Sequence, residues 1–419
     1  MEPPENKIVK TLMRSIERAP DEHTQIPVIL HYSVSQRVMR YTEYMPGVRF
    51  GRRYRLGPFS QLDATPEAIR ILAANPDVVR IYQDMPVHVF VDYSVPHIRV
   101  PYVWQQHLYG DGVRIAIVDT GIDQSHPDFQ GRILNTHDIT GETVQDGCGH
   151  GTHCAGIAAG SGAASKGKYR GVAPRASLLI AKVLRNDGSG MMSDVMEGVE
   201  WAVDQGAQVI SLSLGEACSS DGNDPLSELC EAAIQRGVVI VSAAGNEGPM
   251  SYSIGSPAAA PSIITVGASS DLDRIAEFSS RGPTADGRVK PDITFPGVDI
   301  ISARAQGTSM GTPVNAYYTS ASGTSMATPH AAGLCALMLQ ASPTLKPSEI
   351  KERLMSSARD LSFAPNAQGK GLVDAWAAVG PLVGNPTPSP MPEPELPEPP
   401  GEAVPGMGCI PGLIKYLLK

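Results

Sequence analysis

Three polar residues, each set among small neighbours, carry the chemistry this sequence can do. Asp119 closes the apolar run 113–118 as Asp119-Thr120-Gly121-Ile122. His150 stands in Gly149-His150-Gly151-Thr152-His153, and Ser325 in Gly323-Thr324-Ser325-Met326-Ala327-Thr328-Pro329-His330. A serine hydroxyl is a poor nucleophile unless a base takes its proton. A histidine is that base when a carboxylate holds its other ring nitrogen. The three side chains therefore point to acyl transfer through serine, with His150 as base and Asp119 as its orienting carboxylate. The tetrahedral oxyanion of such a reaction needs donors. Asn246, in Ala243-Ala244-Gly245-Asn246-Glu247-Gly248, offers a side-chain amide, and Ser325 opens a helix whose start favours developing negative charge.

Elements must bring these groups together. From 111 onward, apolar runs alternate with helical patterns. Strands are expected at 113–118, 178–183, 209–213, 238–242 and 263–266. One helix is expected over 193–205, capped by Ser193. Another covers 224–236, with Asp224 as cap, Pro225 in its first turn and Gly237 as its stop. A third, of small residues, starts near Ser325. Alternation of this kind predicts an α/β fold, a doubly wound parallel sheet with helices on both faces. In such sheets the reacting groups gather at the carboxyl ends of the strands.

Ahead of this body, 23–92 reads as a small α+β unit. It has strands at 26–32, 78–82 and 87–91 and a helix over 65–74, with Thr65 as cap, Pro66 in the first turn and Glu67 at the positive end. Residues 1–22 are polar and read as a flexible arm, and 92–106 as a connection into the body at 93–380. A Pro-rich linker spans 381–405 and a short tail 406–419, with an apolar piece at 413–418.

The net charge of the 419 residues is 34 − 43 = −9, which argues against a nucleic-acid partner held by phosphate contacts. Residues 1–91 carry +2 and 92–380 carry −9, so the two parts attract each other. No run approaches the ~20 apolar residues of a membrane span. Six cysteines are too few for a disulfide scaffold. The first residues lack an apolar leader core, which favours the cytoplasm, or an exported protein if a leader is missing. A monomer is expected, acting on proteins and peptides.

Val-Asp-Thr-Gly-Ile, Gly-His-Gly-Thr-His-Cys-Ala-Gly, Ser-Leu-Gly, Ala-Gly-Asn-Glu-Gly and Gly-Thr-Ser-Met-Ala-Thr-Pro-His follow one another in this order. On these motifs the chain from about 111 to 380 resembles the subtilisin-like serine proteases, whose triad order is Asp, His, Ser. The resemblance implies Asp119, His150 and Ser325 as triad and Asn246 with Ser325 as oxyanion site. It implies a substrate strand between Gly188-Ser189-Gly190 and Ser213-Leu214-Gly215. Beside it lies a pocket walled by Ser213–Gly215 and by Ala243, Ala244 and Gly245, with its floor near Gly255. Small walls favour large apolar side chains, and Glu216 and Glu247 at the rim tolerate a basic one. The stretch 26–91 resembles the family's inhibitory propeptide, which implies a zymogen that cuts itself within 91–95. The missing leader and Phe278-Ser279-Ser280-Arg281-Gly282-Pro283 are similar to the intracellular branch. No cofactor is implied for the chemistry. The family's tight calcium loop is missing at 159–168, which leaves Ca2+ as a structural ion at 221–224 or 271–273.

Each residue also has a plainer reading as a turn or a cap, and only the joint pattern outweighs it. A fold kept as a binding or chaperone module would have lost a triad member. A processing protease for dibasic sites would need more carboxylates than Glu216 and Glu247. Gly307-Thr308-Ser309-Met310-Gly311-Thr312-Pro313 echoes the nucleophile motif but lacks the following histidine, and reads as a loop before the strand leading to Ser325. His153 and His330 are expected as buried hydrogen-bonding groups, and His126 and His137 at the surface. Cys154 is expected as a buried thiol beneath His150. Zinc at Cys148 and Cys154 lacks a second ligand pair. Cys218 and Cys230 could pair, although a reducing compartment favours free thiols.

Overall fold

The computed structural model describes residues 4–17, 19–33, 42, 44–54, 57–84 and 93–384. The chain divides into two compact units, 1–91 and 92–419.

The first unit is a four-stranded antiparallel sheet of β1 (Ile26–Tyr32), β2 (Val48–Arg53), β3 (Phe59–Ala64) and β4 (Val78–Gln83), in the order β2-β3-β1-β4. Helices α1 (Lys10–Glu17) and α2 (Pro66–Ala74) belong to the same unit. Thr65 Oγ1 accepts the Ala68 N–H, which fixes the start of α2. The expectation of a flexible arm at 1–22 is corrected here. Leu12 and Ile16 lie one turn apart on α1, Ile8 ahead of the helix bridges to Ile81 of β4, and all three are buried in the core with Val28, Leu30, Leu62, Ile69 and Ile81. The strand expected at 87–91 lies outside the described residues.

The second unit opens with two short helices, α3 (Ser94–His97) and α4 (Val100–Trp104). These replace the expected connection, because Ile98, Val100 and Val103 are fully buried in the main core. Seven strands follow: β5 (Arg114–Asp119), β6 (Ile133–Asp138), β7 (Ser177–Lys182), β8 (Val209–Leu212), β9 (Val239–Ala243), β10 (Ile264–Ser269) and β11 (Ile293–Pro296). Every neighbouring pair is parallel, in the order β11-β10-β9-β8-β5-β7-β6. The chain winds from β5 to one side through β7 and β6, and to the other through β8, so β5 lies where the strand order reverses.

Alternate residues of each strand face opposite layers. Ile115, Ile117, Leu178 and Ile180 pack with α5 (His150–Ala159) and the long α8 (Thr324–Ala341). Ala116, Val118, Leu179 and Ala181 pack with α6 (Met192–Asp204) and α7 (Pro225–Gln235). Asp224 caps α7 through the Ser227 N–H. Helix α6 is not capped by Ser193: it begins one residue earlier, and the Asp194 carboxylate reaches back to the Met191 N–H at 3.4 Å. A small antiparallel sheet of β12 (Ile300–Ala303), β13 (Thr312–Pro313) and β14 (Tyr318–Ala321) leads into α8. Helices α9 (Pro347–Ser356) and α10 (Ala375–Val379) close the unit. The linker does not begin at 381, since 380–383 form a turn whose Leu382 and Val383 pack on the core.

Candidate active site

Asp119 ends β5 in the centre of the sheet and is buried. Its Oδ1 accepts the Thr120 N–H at 2.7 Å and stands 2.7 Å from His150 Nδ1. His150 is the first residue of α5, and that helix can reach β5 only because of two glycines. Gly149 takes φ +98° at the helix start, where a side chain would meet Thr308. A Cβ on Gly151 would lie 2.3 Å from the Gly121 carbonyl oxygen and 3.3 Å from the Asp119 Cβ. The junction is tied by a buried carboxylate that the sequence did not single out. Asp146 accepts from Thr120 Oγ1, from the N–H groups of Cys148, Gly149 and Thr152, and from Thr152 Oγ1. Asp146 thus ties the two residues ahead of α5 and Thr152 in its first turn to Thr120, and Thr120 Oγ1 also takes the Gly151 N–H.

Ser325 is the second residue of α8, which is buried along nearly its whole length. Pro329, four residues on, has no N–H to give the Ser325 carbonyl. Two side chains fill that gap: Ser213 Oγ donates at 3.0 Å and Cys154 Sγ at 3.4 Å. The Ser325 hydroxyl donates in turn to the Ser213 carbonyl at 2.9 Å. Asn246 follows β9. Its Oδ1 accepts the Thr324 N–H at 2.9 Å and Thr324 Oγ1 at 3.0 Å, which turns its amide nitrogen the other way. His150, Asn246 and Ser325 line one cleft of about 440 Å³.

Burial alone would lower the His150 pKa, but the Asp119 carboxylate against Nδ1 overrides it and holds the imidazole well above its usual 6.5. The carboxylate also selects the neutral tautomer with its proton on Nδ1, leaving the Nε2 lone pair free. Two buried imidazoles farther from a carboxylate go the opposite way. Burial pushes His153 and His330 down to about 4. His153 Nε2 meets the carbonyls of Ile300 and Thr319, and His330 bridges Met326 O and Ser94 Oγ. Burial raises the Cys154 thiol, which lies 3.9 Å from His150 Nδ1.

Two further hollows adjoin this cleft. Gly188, Gly190, Ser213, Leu214 and Gly215 line a groove of about 430 Å³ with His150. Leu214, Gly215, Ala243, Ala244, Gly245 and Gly255 line a pocket of about 200 Å³ that also includes Asn246, Ser325, Glu216 and Glu247. Ser189 is not among the lining residues of either. Its N–H and hydroxyl are both given to the Asp187 carboxylate inside their own turn. Ser309 sits exposed in the loop before β13. His137 is partly exposed beside Glu197, but His126 is buried, with Nε2 on the Tyr317 carbonyl and Nδ1 accepting the Asp128 N–H. The surface expectation fails for His126 because Phe129, Tyr317 and Tyr318 enclose its ring.

Cys218 and Cys230 are free thiols, the first exposed and the second buried. In the two acidic loops, two of the carboxylates already have protein partners. Asp273 is held by His97 and Arg359, and Asp224 accepts from Ser227, Ser256 and Ser220. A buried cluster went unnoticed in the sequence. Asp292 Oδ2 takes Lys290 Nζ at 2.7 Å and Lys351 Nζ at 3.0 Å.

A central acid–histidine pair at the reversal point of a parallel sheet, with a helix-start serine in the same cleft, defines a class of hydrolase. Residues 110–372 match the model of the subtilase family, and the chain belongs to that family of serine endopeptidases. It is 42% identical over 345 residues to the serine protease AprX of Bacillus subtilis (strain 168), covering 76% of this chain and 78% of that one. Thermitase of Thermoactinomyces vulgaris is 39% identical over 289 residues, 68% of this chain and 95% of its own. A crystal structure of a cold adapted subtilisin-like serine proteinase superposes with a TM-score of 0.52 at 34% identity, covering 64% of this chain and 88% of that chain. No helix among the described residues is long and apolar enough to cross a membrane.

Proposed function

We propose that Ser325 is the nucleophile of this endopeptidase, with His150 as general base and Asp119 as its orienting carboxylate. The observation that carries the reading is the 2.7 Å Asp119–His150 contact, in a cleft that His150 shares with Ser325 and Asn246. The hydroxyl leaves the Ser213 carbonyl to give its proton to Nε2 as Oγ attacks the peptide carbonyl. Asn246 Nδ2 and the Ser325 N–H receive the oxyanion. His150 then returns the proton to the leaving amine, and water attacks the acyl-enzyme with His150 again as base.

The substrate lies extended between the edges at 188–190 and 213–215, held through its main chain. The small walls of the 200 Å³ pocket favour a large apolar side chain before the scissile bond, and Glu216 and Glu247 tolerate a basic one. The first unit acts as an inhibitory propeptide of a monomeric zymogen. Ser94 and Val95 are buried within the second unit, so self-cleavage falls on the amino side of Ser94.

Intact mass and amino-terminal sequencing of the wild type, Ser325→Ala and Ser309→Ala test this reading. Wild type and Ser309→Ala should lose the first unit, and Ser325→Ala should keep it. Processing that survives Ser325→Ala but not Ser309→Ala would assign the nucleophile to the wrong serine. Separately, a 1–91 fragment should inhibit the mature enzyme more weakly as salt rises, given +2 against −9. No inhibition at any salt would remove the propeptide role.

A further inference from the structure

A hollow of about 1060 Å³, larger than any of the three at the candidate active site, lies between the end of α7 and the start of α9 in the second unit. Its lining combines apolar surface from Pro261 and Met355 with the cations Arg236, Lys346, Lys351 and Lys370. Lys351 is taken by Asp292 and by the carbonyls of Pro261 and Ile263. The other three are exposed, and none has a carboxylate partner among the described residues. One lining residue, Glu352, is acidic. Three unmatched cations in one hollow are unexpected on a body whose net charge is −9. They form a local field that selects a negative, partly apolar occupant.

This chain carries such an occupant. Residues 393–402, Glu-Pro-Glu-Leu-Pro-Glu-Pro-Pro-Gly-Glu, hold four carboxylates, no cation and one leucine. The place where they are tethered suits the hollow. Helix α10 packs on α9, and the turn 380–383 that follows α10 ends the described chain at Gly384. Eight residues, 385–392, separate Gly384 from Glu393. At ~3.1 Å per residue for a Pro-rich segment they reach ~25 Å, more than twice the ~10 Å width of a helix.

We propose that the acidic Pro-rich segment 393–402 docks intramolecularly in the basic hollow between α7 and α9. The proposal is independent of the hydrolytic reading. Prolines lower the entropy lost on docking, and the tether raises the effective concentration to the order of millimolar. A segment with an intrinsic Kd of about 100 µM would then be docked roughly ten to one.

The test uses the full chain with Ser325→Ala, which removes self-digestion, and a Glu-specific endopeptidase. The Glu395–Leu396 and Glu402–Ala403 bonds are its accessible sites in the segment. At low salt their cleavage should be about tenfold slower than in the triple variant Arg236→Asp, Lys346→Asp, Lys370→Asp, and about 0.5 M salt should abolish the difference. The three side chains are exposed, so the variant should keep its thermal midpoint. In a chain ending at Gly384, amide exchange at 347–352 should rise. Equal cleavage in both proteins at low salt, with unchanged exchange in the shortened chain, would overturn the proposal. Protection that grows with protein concentration would overturn it in favour of docking on a second copy.

Discussion

Replacing Asn246 by alanine should slow turnover far more than it weakens substrate binding. Asn246 Oδ1 is committed to the Thr324 N–H and hydroxyl, so the amide orientation is fixed before substrate arrives and Nδ2 is a preorganised donor. Its partner becomes negative only in the transition state, so its loss belongs in kcat rather than KM. Loss of one such donor costs about 2.7–4 kcal/mol, or 10² to 10³ in kcat, a magnitude taken from a subtilisin rather than worked out on this structure. Alanine also strands the Thr324 N–H, which costs stability by about 1–3 kcal/mol.

A second substitution separates the two effects. Asn246→Asp keeps an acceptor for Thr324 and so should largely keep the thermal midpoint, but it sets a carboxylate against the oxyanion and should lose at least as much kcat. Steady-state hydrolysis of a chromogenic peptide gives kcat and KM. Thermal unfolding in the Ser325→Ala background gives stability without self-digestion. If Asn246→Ala keeps kcat within about threefold while its midpoint falls, the residue is a structural tie for α8 and not an oxyanion donor.

Three other outcomes follow from the same geometry. His150 must be neutral to act as base and its pKa is raised above 6.5, so kcat/KM should fall with decreasing pH through a midpoint above 6.5. Asp119→Asn, which removes the main cause that raises the pKa, should move that midpoint down, and a wild-type midpoint below 6.5 would contradict the pairing. Cys154 Sγ sits against His150 and Ser325 O, so a mercurial should inhibit slowly, a thiol should reverse it, and Cys154→Ala should be insensitive. Equal sensitivity of Cys154→Ala would place the effect on another thiol. Asp292→Asn removes the carboxylate that Lys290 and Lys351 share and should cost about 3–5 kcal/mol, or a midpoint lower by roughly 6–20 °C. Burial pulls the Lys290 pKa down from 10.5 to about 7, so the folded state binds fewer protons than the unfolded one between these values. Stability should therefore rise with pH across that window, and Lys290→Met, measured by thermal unfolding, should flatten the rise.

The alternation of apolar runs and helical patterns made the parallel sheet legible in the sequence. The end of β5, the Gly-flanked His150 and the small-residue helix after Ser325 pointed to the site because each motif solves a packing problem that few other residues can. Long-range polar contacts were not legible. Nothing local announces that Asp146 ties α5 to the loop after Asp119, or that Asp292 joins two lysines from different elements. The Pro329 gap was readable in principle, since a proline four residues after Ser325 must free its carbonyl. Which side chains fill the gap depends on β8 and α5 packing against α8. The arm at 1–22 was misread because its polar residues dominate the composition, while Leu12 and Ile16 one helical turn apart, and Ile8 in a bridge to Ile81, bury its few apolar side chains.

The central claim is that Ser325 carries the acyl group, and a phosphonylating serine reagent tests it most directly. Peptide mapping of the treated enzyme should find one adduct, on Ser325, formed in proportion to lost activity, slowed in Asn246→Ala and missing in Ser325→Ala. Complete inactivation with the label on any other residue, or full activity with Ser325 labelled, would contradict the account.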